Sequence, residues 1–389
     1  MQPNVALITD SFPPIIDGVC NCVLNYARIL NFRRDGSCAV VTQKMPGGQY
    51  SQYPYPVLTY PSMPIPKVAY RAGYPFVPTL AAKLKKLNID ILHAHSPFTA
   101  MTISRQLRML LKVPVVVTQH TKWEYDIARI FPRYLRKPVE RLVYGNISAA
   151  DEVWSVSRST AKHMSERGFG EFKSIVMENG TDFTRGDADP SLLRELNGRF
   201  GLNDERPVFL FVGRMMWYKN IRLIFRALDI LRSNGLAFDM LMVGDGPDLS
   251  AIELLANEMD MGGHVHFAGR ISDRERLRAY FTRADLMIFP SVFDNAPLVV
   301  REAAACRCPA VVINGSSTAE ILLDNETGFF AAETPESVAE TVRRAVSDKA
   351  LLNLVADNAA EHVYVSWDDI VSRAVDRYGN IIEKYKTKC

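Results

Sequence analysis

The sequence predicts an α/β protein made of two doubly wound domains. Short apolar, β-branched runs alternate with amphipathic stretches along the whole chain, the pattern of parallel sheets wrapped by helices. The length of 389 residues exceeds one ordinary core and suits two domains. Charge also divides near the middle: residues 1–178 hold 22 Lys and Arg against 12 Asp and Glu, and the remainder holds 24 against 31. The overall charge of +3 therefore conceals a basic half and an acidic half, which are expected to do different jobs. With 48% apolar and 23% charged residues the chain is expected to fold rather than stay disordered.

In the first half, Val5-Ala6-Leu7-Ile8 opens a strand over 5–9, and similar runs predict strands over 38–42, 57–60, 89–93, 113–118, 152–156 and 174–177. The amphipathic stretches between them predict helices over 18–31, 79–87, 100–111, 138–149 and 158–167. In the second half strands are expected over 208–212, 239–243, 265–267, 286–289, 310–313 and 328–330. Helices are expected over 220–234, 249–260, 273–282, 298–306, 317–323 and 338–347. Residues 50–78 are rich in Tyr and Pro and predict an irregular excursion. Between 178 and 207 turn-forming pairs such as Asn179-Gly180 replace strand signals, which marks the boundary. The tail begins Ser366-Trp367-Asp368-Asp369, where Ser366 suits a helix N-cap with Asp369 three residues on. The expected domains are 1–178 with a returning helix 366–389, and 179–365.

No apolar run approaches the roughly 18–20 residues that span a bilayer. The start, Met1-Gln2-Pro3-Asn4 before an apolar strand, has neither a basic region nor a cleavage site, so no signal peptide is expected. The six cysteines include two C-x-C pairs, Cys20 with Cys22 and Cys306 with Cys308. That spacing is not the C-x-x-C of zinc or redox motifs, and no histidine cluster adjoins either pair in sequence. Free thiols in a reducing cytosol are the expectation.

The chemistry-bearing signals concentrate in the second half. Gly213-Arg214 ends a strand and Lys219 follows in the loop, at the kind of strand end where doubly wound domains bind ligands. A paired Arg and Lys can neutralise a diphosphate without a metal. Gly244-Asp245-Gly246-Pro247 permits a tight turn and close approach of a ligand, and its spacing is not G-x-G-x-x-G. Asp294 and Glu302 lie eight residues apart across a loop-to-helix junction. A helix beginning near Leu298 would offer free N–H groups to an anion. Each signal alone also suits an ordinary turn or solvated loop. Their recurrence at successive strand ends of one sheet is more specific.

The arrangement G-R-x4-K, then G-x-G-P, then acid-x7-Glu resembles the nucleotide-binding domain of retaining GT-B glycosyltransferases of glycosyltransferase family four. The likeness extends along the chain, through Thr9–Val19, His93-Ala94-His95-Ser96-Pro97, Thr118-Gln119-His120-Thr121, Glu178-Asn179-Gly180-Thr181-Asp182 and Gly315–Glu320. It implies two Rossmann-like domains facing across a cleft, a C-terminal helix crossing back to the first domain, an acceptor-binding first domain and a donor-binding second one. By resemblance, Arg214 and Lys219 hold the donor diphosphate, Asp294 contacts the transferred sugar and Glu302 the ribose. Gly213, Gly244, Gly246, Pro297, Leu298 and Val299 shape the donor cradle, Pro297 having no N–H to offer. Gly18 lets the opening loop approach the phosphates, Arg270 lies at the base-binding wall and His120 near the reacting face of the sugar. Asp17, His95, Lys122 and Tyr125 fall on the acceptor side. The family usually carries Glu where Asp294 stands, and a Gly-rich triplet where this chain has Asn295-Ala296-Pro297.

The implied reaction moves a hexose from a nucleoside-diphosphate sugar, a UDP-sugar first and GDP-mannose second, to an acceptor hydroxyl with retention. The donor is a co-substrate; no other cofactor and no metal are expected. The D-x-D triplet Asp187-Ala188-Asp189 reads as a solvated turn, and His93 as a core residue. Basic and bulky residues interleave at Lys122-Trp123, over 129–137, and around Lys83, Lys85 and Lys86. This mixture suits an anionic membrane surface and a lipid acceptor such as diacylglycerol or a phospholipid. It suits nearly as well a solvated basic face or attraction to a soluble acidic acceptor, and a saccharide is the other acceptor class. The thiols and the start of the chain predict a cytoplasmic location, and the first of these surfaces a peripheral position at the inner face of the cell membrane. No nucleic acid partner is expected. Two rival activities share the architecture, a sugar-nucleotide epimerase and a non-catalytic nucleotide-sugar binder.

Overall fold

A computed structural model describes residues 3–32, 38–64, 71–74, 78–121, 123, 127–128, 131–166 and 174–387. The chain divides into two compact units, Met1–Asn179 with Trp367–Cys389, and Gly180–Ser366.

In the first unit the order is β1 (Val5–Thr9), α1 (Gly18–Phe32), β2 (Cys38–Gln43), β3 (Val57–Tyr60), β4 (Ser62–Pro64), β5 (Arg71–Gly73), α2 (Pro78–Lys86), β6 (Ile91–Ala94), α3 (Thr99–Leu111), β7 (Val115–Gln119), α4 (Arg133–Ile147), β8 (Glu152–Ser155), α5 (Arg158–Glu166) and β9 (Ile175–Val176). Seven of these strands form a parallel sheet in the order β3-β2-β1-β6-β7-β8-β9. β1, β2, β6 and β7 are buried along their whole length, as strands covered on both faces must be. The stretch expected to be irregular contains the antiparallel pair β4–β5.

The second unit runs α6 (Pro190–Phe200), β10 (Val208–Val212), a 3-10 turn at Trp217–Lys219, α7 (Ile221–Ser233), β11 (Asp239–Val243), α8 (Leu249–Glu258), β12 (Val265–Gly269), α9 (Arg274–Arg283), β13 (Leu286–Phe289), α10 (Leu298–Ala305), β14 (Ala310–Ile313), a 3-10 turn at Ser317–Ile321, β15 (Phe329–Ala331), α11 (Pro335–Ser347) and α12 (Lys349–His362). Its six-stranded parallel sheet has the order β12-β11-β10-β13-β14-β15. In each sheet the order reverses once, between β1 and β6 and between β10 and β13, and such a reversal opens a crevice at the strands' carboxyl ends.

Several expectations need correction. α4 starts at Arg133, five residues before the expected start, and keeps Pro138 inside it. α6 lies within the segment read as a turn-rich boundary: Asp189 caps it by accepting from the Ser191 N–H at 2.7 Å, and Pro190 opens it. The D-x-D triplet thus ends in a helix cap. α12 was not expected, although Leu352, Val355, Ala356 and Ala359 bury one helical face. The stretch 317–323 shortens to a 3-10 turn.

The tail forms α13 (Trp367–Lys386), which belongs to the first unit. Buried Tyr378 on it stands 2.6 Å from His93 Nδ1, and His93 Nε2 is 2.6 Å from Thr118 Oγ1. His93 is therefore satisfied at both nitrogens within the core. Arg377 of the same helix bonds Glu152 in a bidentate pair at 2.6–3.0 Å. Tyr378→Phe removes the hydroxyl and orphans a buried imidazole nitrogen. It is expected to lower unfolding free energy by about 1–3 kcal/mol in urea titrations, where an unchanged midpoint would contradict the assignment.

Candidate functional site

Of the residues singled out in the second half, Lys219 and Asp294 meet at the order reversal of its sheet, and the loops that carry Gly213, Gly244 and Gly246 pack against one another. The loop after β10 is built by backbone contacts with the loop after β11. The Gly213 N–H donates to the Val243 carbonyl at 3.0 Å, and the Met215 N–H to the Asp245 carbonyl at 3.0 Å. Gly244 has φ +140°, and a Cβ there would collide with the Gly213 carbonyl; one at Gly246 would collide with the Met215 carbonyl. These glycines are thus required where two backbone segments of this chain meet. The tight turn expected at these positions is therefore required by the chain itself.

Asp248 accepts from the Trp217 N–H at 2.9 Å and fixes the following 3-10 turn. Asn220 leaves the turn in the left-handed region, at φ 59°, and starts α7. Lys219 is thereby turned inward and is 9% exposed. Its Nζ donates to both Asp294 oxygens, at 2.6 and 2.7 Å, and lies 5.3 Å from the Tyr218 ring centroid. Asp294 follows β13, so the pair bridges the two strands that flank the reversal. Arg214 is exposed in the same loop, and no hydrogen bond or ion pair among the described residues engages it. Arg270 is exposed just after β12.

α10 begins at Leu298, as its sequence suggests, with Pro297 in the extended region at its N-cap. The N–H groups of Leu298 and Val299 belong to its first turn, whose amides lack helical partners. Glu302, one turn in, is buried, and Arg274 Nη2 donates to its Oε1 at 2.7 Å. The same nitrogen bonds Asp182, and the guanidinium lies 4.2 Å from the Phe183 ring centroid. Burial pushes the Glu302 carboxyl above its ordinary range, against the pull of Arg274. Arg274 was missed in sequence. It occupies the first position of α9, where the helix dipole disfavours a cation, and that misplacement is the signal that could have found it.

In the first unit, Gly18 begins α1, and a Cβ on it would meet nothing within 4 Å. Asp17 accepts from the Cys20 N–H and from the Ser11 hydroxyl, both at 2.8 Å, which makes it a cap of α1. His95 follows β6, is fully buried, and stands with its Nδ1 3.3 Å from His120 Nε2; His120 follows β7. Burial brings the His120 pKa down to about 4, with the Asp17 charge acting in the opposite direction. Both imidazoles are therefore neutral near pH 7. Asp10, not singled out in sequence, is buried and accepts from Ser96 at 2.6 Å, from Tyr60 at 2.8 Å and from the Ala100 N–H. Lys122 and Tyr125 lie outside the described residues.

Residues 194–362 match the family model described as glycosyl transferases group 1, and residues 16–185 match that of glycosyltransferase family 4. A glycosyltransferase of Methanocaldococcus jannaschii, itself uncharacterised, is 27% identical over 308 residues, 76% of this chain and 77% of the relative. The alpha-monoglucosyldiacylglycerol synthase of Streptococcus pneumoniae is 24% identical over 319 residues, 79% of this chain and 70% of the relative. The solved structure of Anabaena HepE in complex with UDP and glucose superposes with a TM-score of 0.75 at 17% identity, covering 97% of this chain and 100% of the other.

Arg274 holds a buried carboxylate, so Arg274→Leu is expected to cost about 3–5 kcal/mol in equilibrium unfolding. Adding Glu302→Gln should recover part of that loss, because the neutral amide no longer needs a cation. A double variant as unstable as the single one would show that the bridge does not carry the effect.

Proposed function

The chain belongs to the family-four, group 1 glycosyltransferases and has their GT-B fold, and from that premise we propose that it is a retaining hexosyltransferase using a nucleoside-diphosphate sugar. The observation that carries this reading is the Lys219–Asp294 pair at the reversal between β10 and β13, beside the first turn of α10.

Breaking the bond between a sugar and its diphosphate passes through an oxocarbenium-like state and leaves growing negative charge on the departing phosphate. Preorganised cations and amides aimed at that charge lower the barrier. In the proposed assignment Lys219 and Arg214 face the diphosphate, the Leu298 and Val299 amides complete its cradle, and Gly213, Gly244 and Gly246 set the loops beneath it. Asp294 holds Lys219 in place and offers its oxygens to the transferred sugar. Glu302, fixed by Arg274, addresses the ribose diol, and Arg270 the base. These groups supply the needed charge themselves, so the reading requires no metal. Of the first unit's residues, Gly18, His120, His95 and Asp17 are assigned to the acceptor, whose hydroxyl attacks from the face the diphosphate leaves. The HepE complex supports UDP as the base-bearing partner, with GDP-mannose as the second candidate.

For the acceptor we favour a membrane lipid. The Streptococcus relative is named for a diacylglycerol glycolipid. On α4, Tyr134 and Leu142 are 78% and 54% exposed among exposed Arg133, Lys137 and Arg141. Cations beside apolar side chains suit an anionic bilayer surface, each cation contributing about 1 kcal/mol there. Among the described residues no helix is long and apolar enough to cross a membrane.

Lys219→Ala is expected to lower kcat at least about 100-fold in protein that still folds by circular dichroism, with an unfolding midpoint lowered because Asp294 loses its partner. Full turnover in that variant would remove the basis of the assignment. Product analysis separates the classes: free nucleotide with a glycosylated acceptor supports transfer, an altered donor sugar supports epimerisation, and neither supports binding alone. A thermal-shift series with UDP-, GDP- and ADP-sugars identifies the base, since a ligand of the native state raises the midpoint. Flotation with anionic vesicles at low salt should carry the protein upward; failure to bind would sink the lipid version.

A further inference from the structure

Cys22 and the two histidines are separate along the chain, and no metal motif links them. The fold nevertheless gathers them in the first unit. β6 and β7 are adjacent parallel strands, so the residues that follow them, His95 and His120, emerge side by side. α1 brings Cys22 against the same point. His95 Nδ1 lies 3.3 Å from His120 Nε2 and 4.0 Å from Cys22 Sγ, and the three atoms fall within 4.8 Å of one another. Among the described residues this is the one group of three His, Cys, Asp or Glu side chains with metal-ligand spacing.

As bare polar contacts these are poor. A sulfur–nitrogen approach of 4.0 Å and a ring nitrogen pair at 3.3 Å are weak bonds. A buried polar cluster left this weakly bonded calls for a further atom among its members. The separations suit one. Nitrogen ligands at about 2.0–2.1 Å and sulfur at about 2.3 Å from a tetrahedral zinc stand roughly 3.3–3.6 Å apart. Completing the geometry brings the sulfur in by a few tenths of an ångström from 4.0 Å toward His95, and by up to about 1 Å from within 4.8 Å toward His120.

We propose that Cys22, His95 and His120 form a binding site for a thiophilic divalent cation of the zinc class. Binding forms one metal–sulfur and two metal–nitrogen bonds. The Cys22 thiol releases its proton to solvent, each neutral imidazole gives a ring lone pair, and nothing is oxidised or reduced. Thiolate and imidazole are the donors that zinc and cobalt prefer, whereas magnesium and calcium take oxygen ligands. Half-buried His120 leaves the fourth position for water, and the Asp17 carboxylate, whose charge is felt at His120, offsets part of the cation's charge.

The test uses the reduced, chelator-treated full chain and the metals alone. One equivalent of Co2+ should produce a thiolate-to-cobalt charge-transfer absorption together with intense visible bands of tetrahedral cobalt, and Zn2+ should abolish both by displacement. Cys22→Ser is expected to lose the charge-transfer band, while Cys38→Ser, which alters a buried thiol outside the group, keeps it. Should Cys22→Ser fail to fold by circular dichroism, His120→Gln provides the second reading: the band persists, with Co2+ affinity lowered at least about tenfold. Absence of the band at stoichiometric Co2+, its survival in folded Cys22→Ser, or unchanged Co2+ affinity in His120→Gln overturns the proposal.

Discussion

The meeting of two backbone segments, 213–215 against 243–246, holds the second unit's site together. Parallel strands β10 and β11 are held at ladder distance by their hydrogen bonds, so the loops leaving their carboxyl ends start close together. Only a chain without Cβ atoms at 244 and 246 can keep that closeness for two more residues. Met215 is thereby pinned through both its N–H and its carbonyl, the latter accepting from Asp248. Asp248 in turn sets the start of the 3-10 turn, and that turn aims Lys219. The cation is thus positioned by bonded backbone and by one carboxylate, that of Asp248. Rigid placement of this kind is what electrostatic stabilisation of a short-lived charge requires.

The charges of this unit fall into two groups. Lys219 and Glu302 are buried and their partners Asp294 and Arg274 are partly exposed, and each cation has a carboxylate within 2.7 Å. A buried charge without its partner costs several kcal/mol, so neither member of a pair is replaceable alone. Arg214 and Arg270 are exposed instead, and their solvated side chains lose less on meeting an anion. The half of the chain with the acidic balance thus carries Lys219, Arg214 and Arg270 on loops that leave strand ends of one sheet. Whole-chain charge conceals this completely.

Most of the strands were legible because buried parallel strands are continuous β-branched runs, and those runs coincide with β1, β3, β10, β11, β13 and β14. The start of α10 was legible for a similar reason: Pro297 ends an irregular stretch and an apolar helix follows. Two helices were readable and passed over. Asp189-Pro190 reads as a turn unless the helical spacing beyond it is counted, and α12 carries its burial pattern openly. Arg274, Asp10 and the Cys22–His95–His120 group are different. Their partners lie 28, 86 and 73 residues away, and only the order of strands in the sheet brings them together. Residue type announces that such groups need partners, but the partner's identity belongs to topology.

That distinction separates two polar clusters within the first unit. Asp10 is buried, and burial raises its carboxyl pKa, yet it accepts from two hydroxyls and a backbone amide. It ties the end of β1 to the loop after β6 across the order reversal, and its chemistry is used up in doing so. His93, with a hydroxyl at each nitrogen, is likewise complete. The neighbouring ring of His95 lies only 4.0 Å from it, centroid to centroid, and has no comparable partners. One interior thus contains two imidazoles with opposite degrees of satisfaction. Saturation explains a structural residue, and a fold gains nothing from leaving the second one short of bonds. The weakly bonded side of the His95 ring, with Nδ1 toward His120 and Cys22, lies at the carboxyl ends of β6 and β7, where doubly wound sheets place their chemistry.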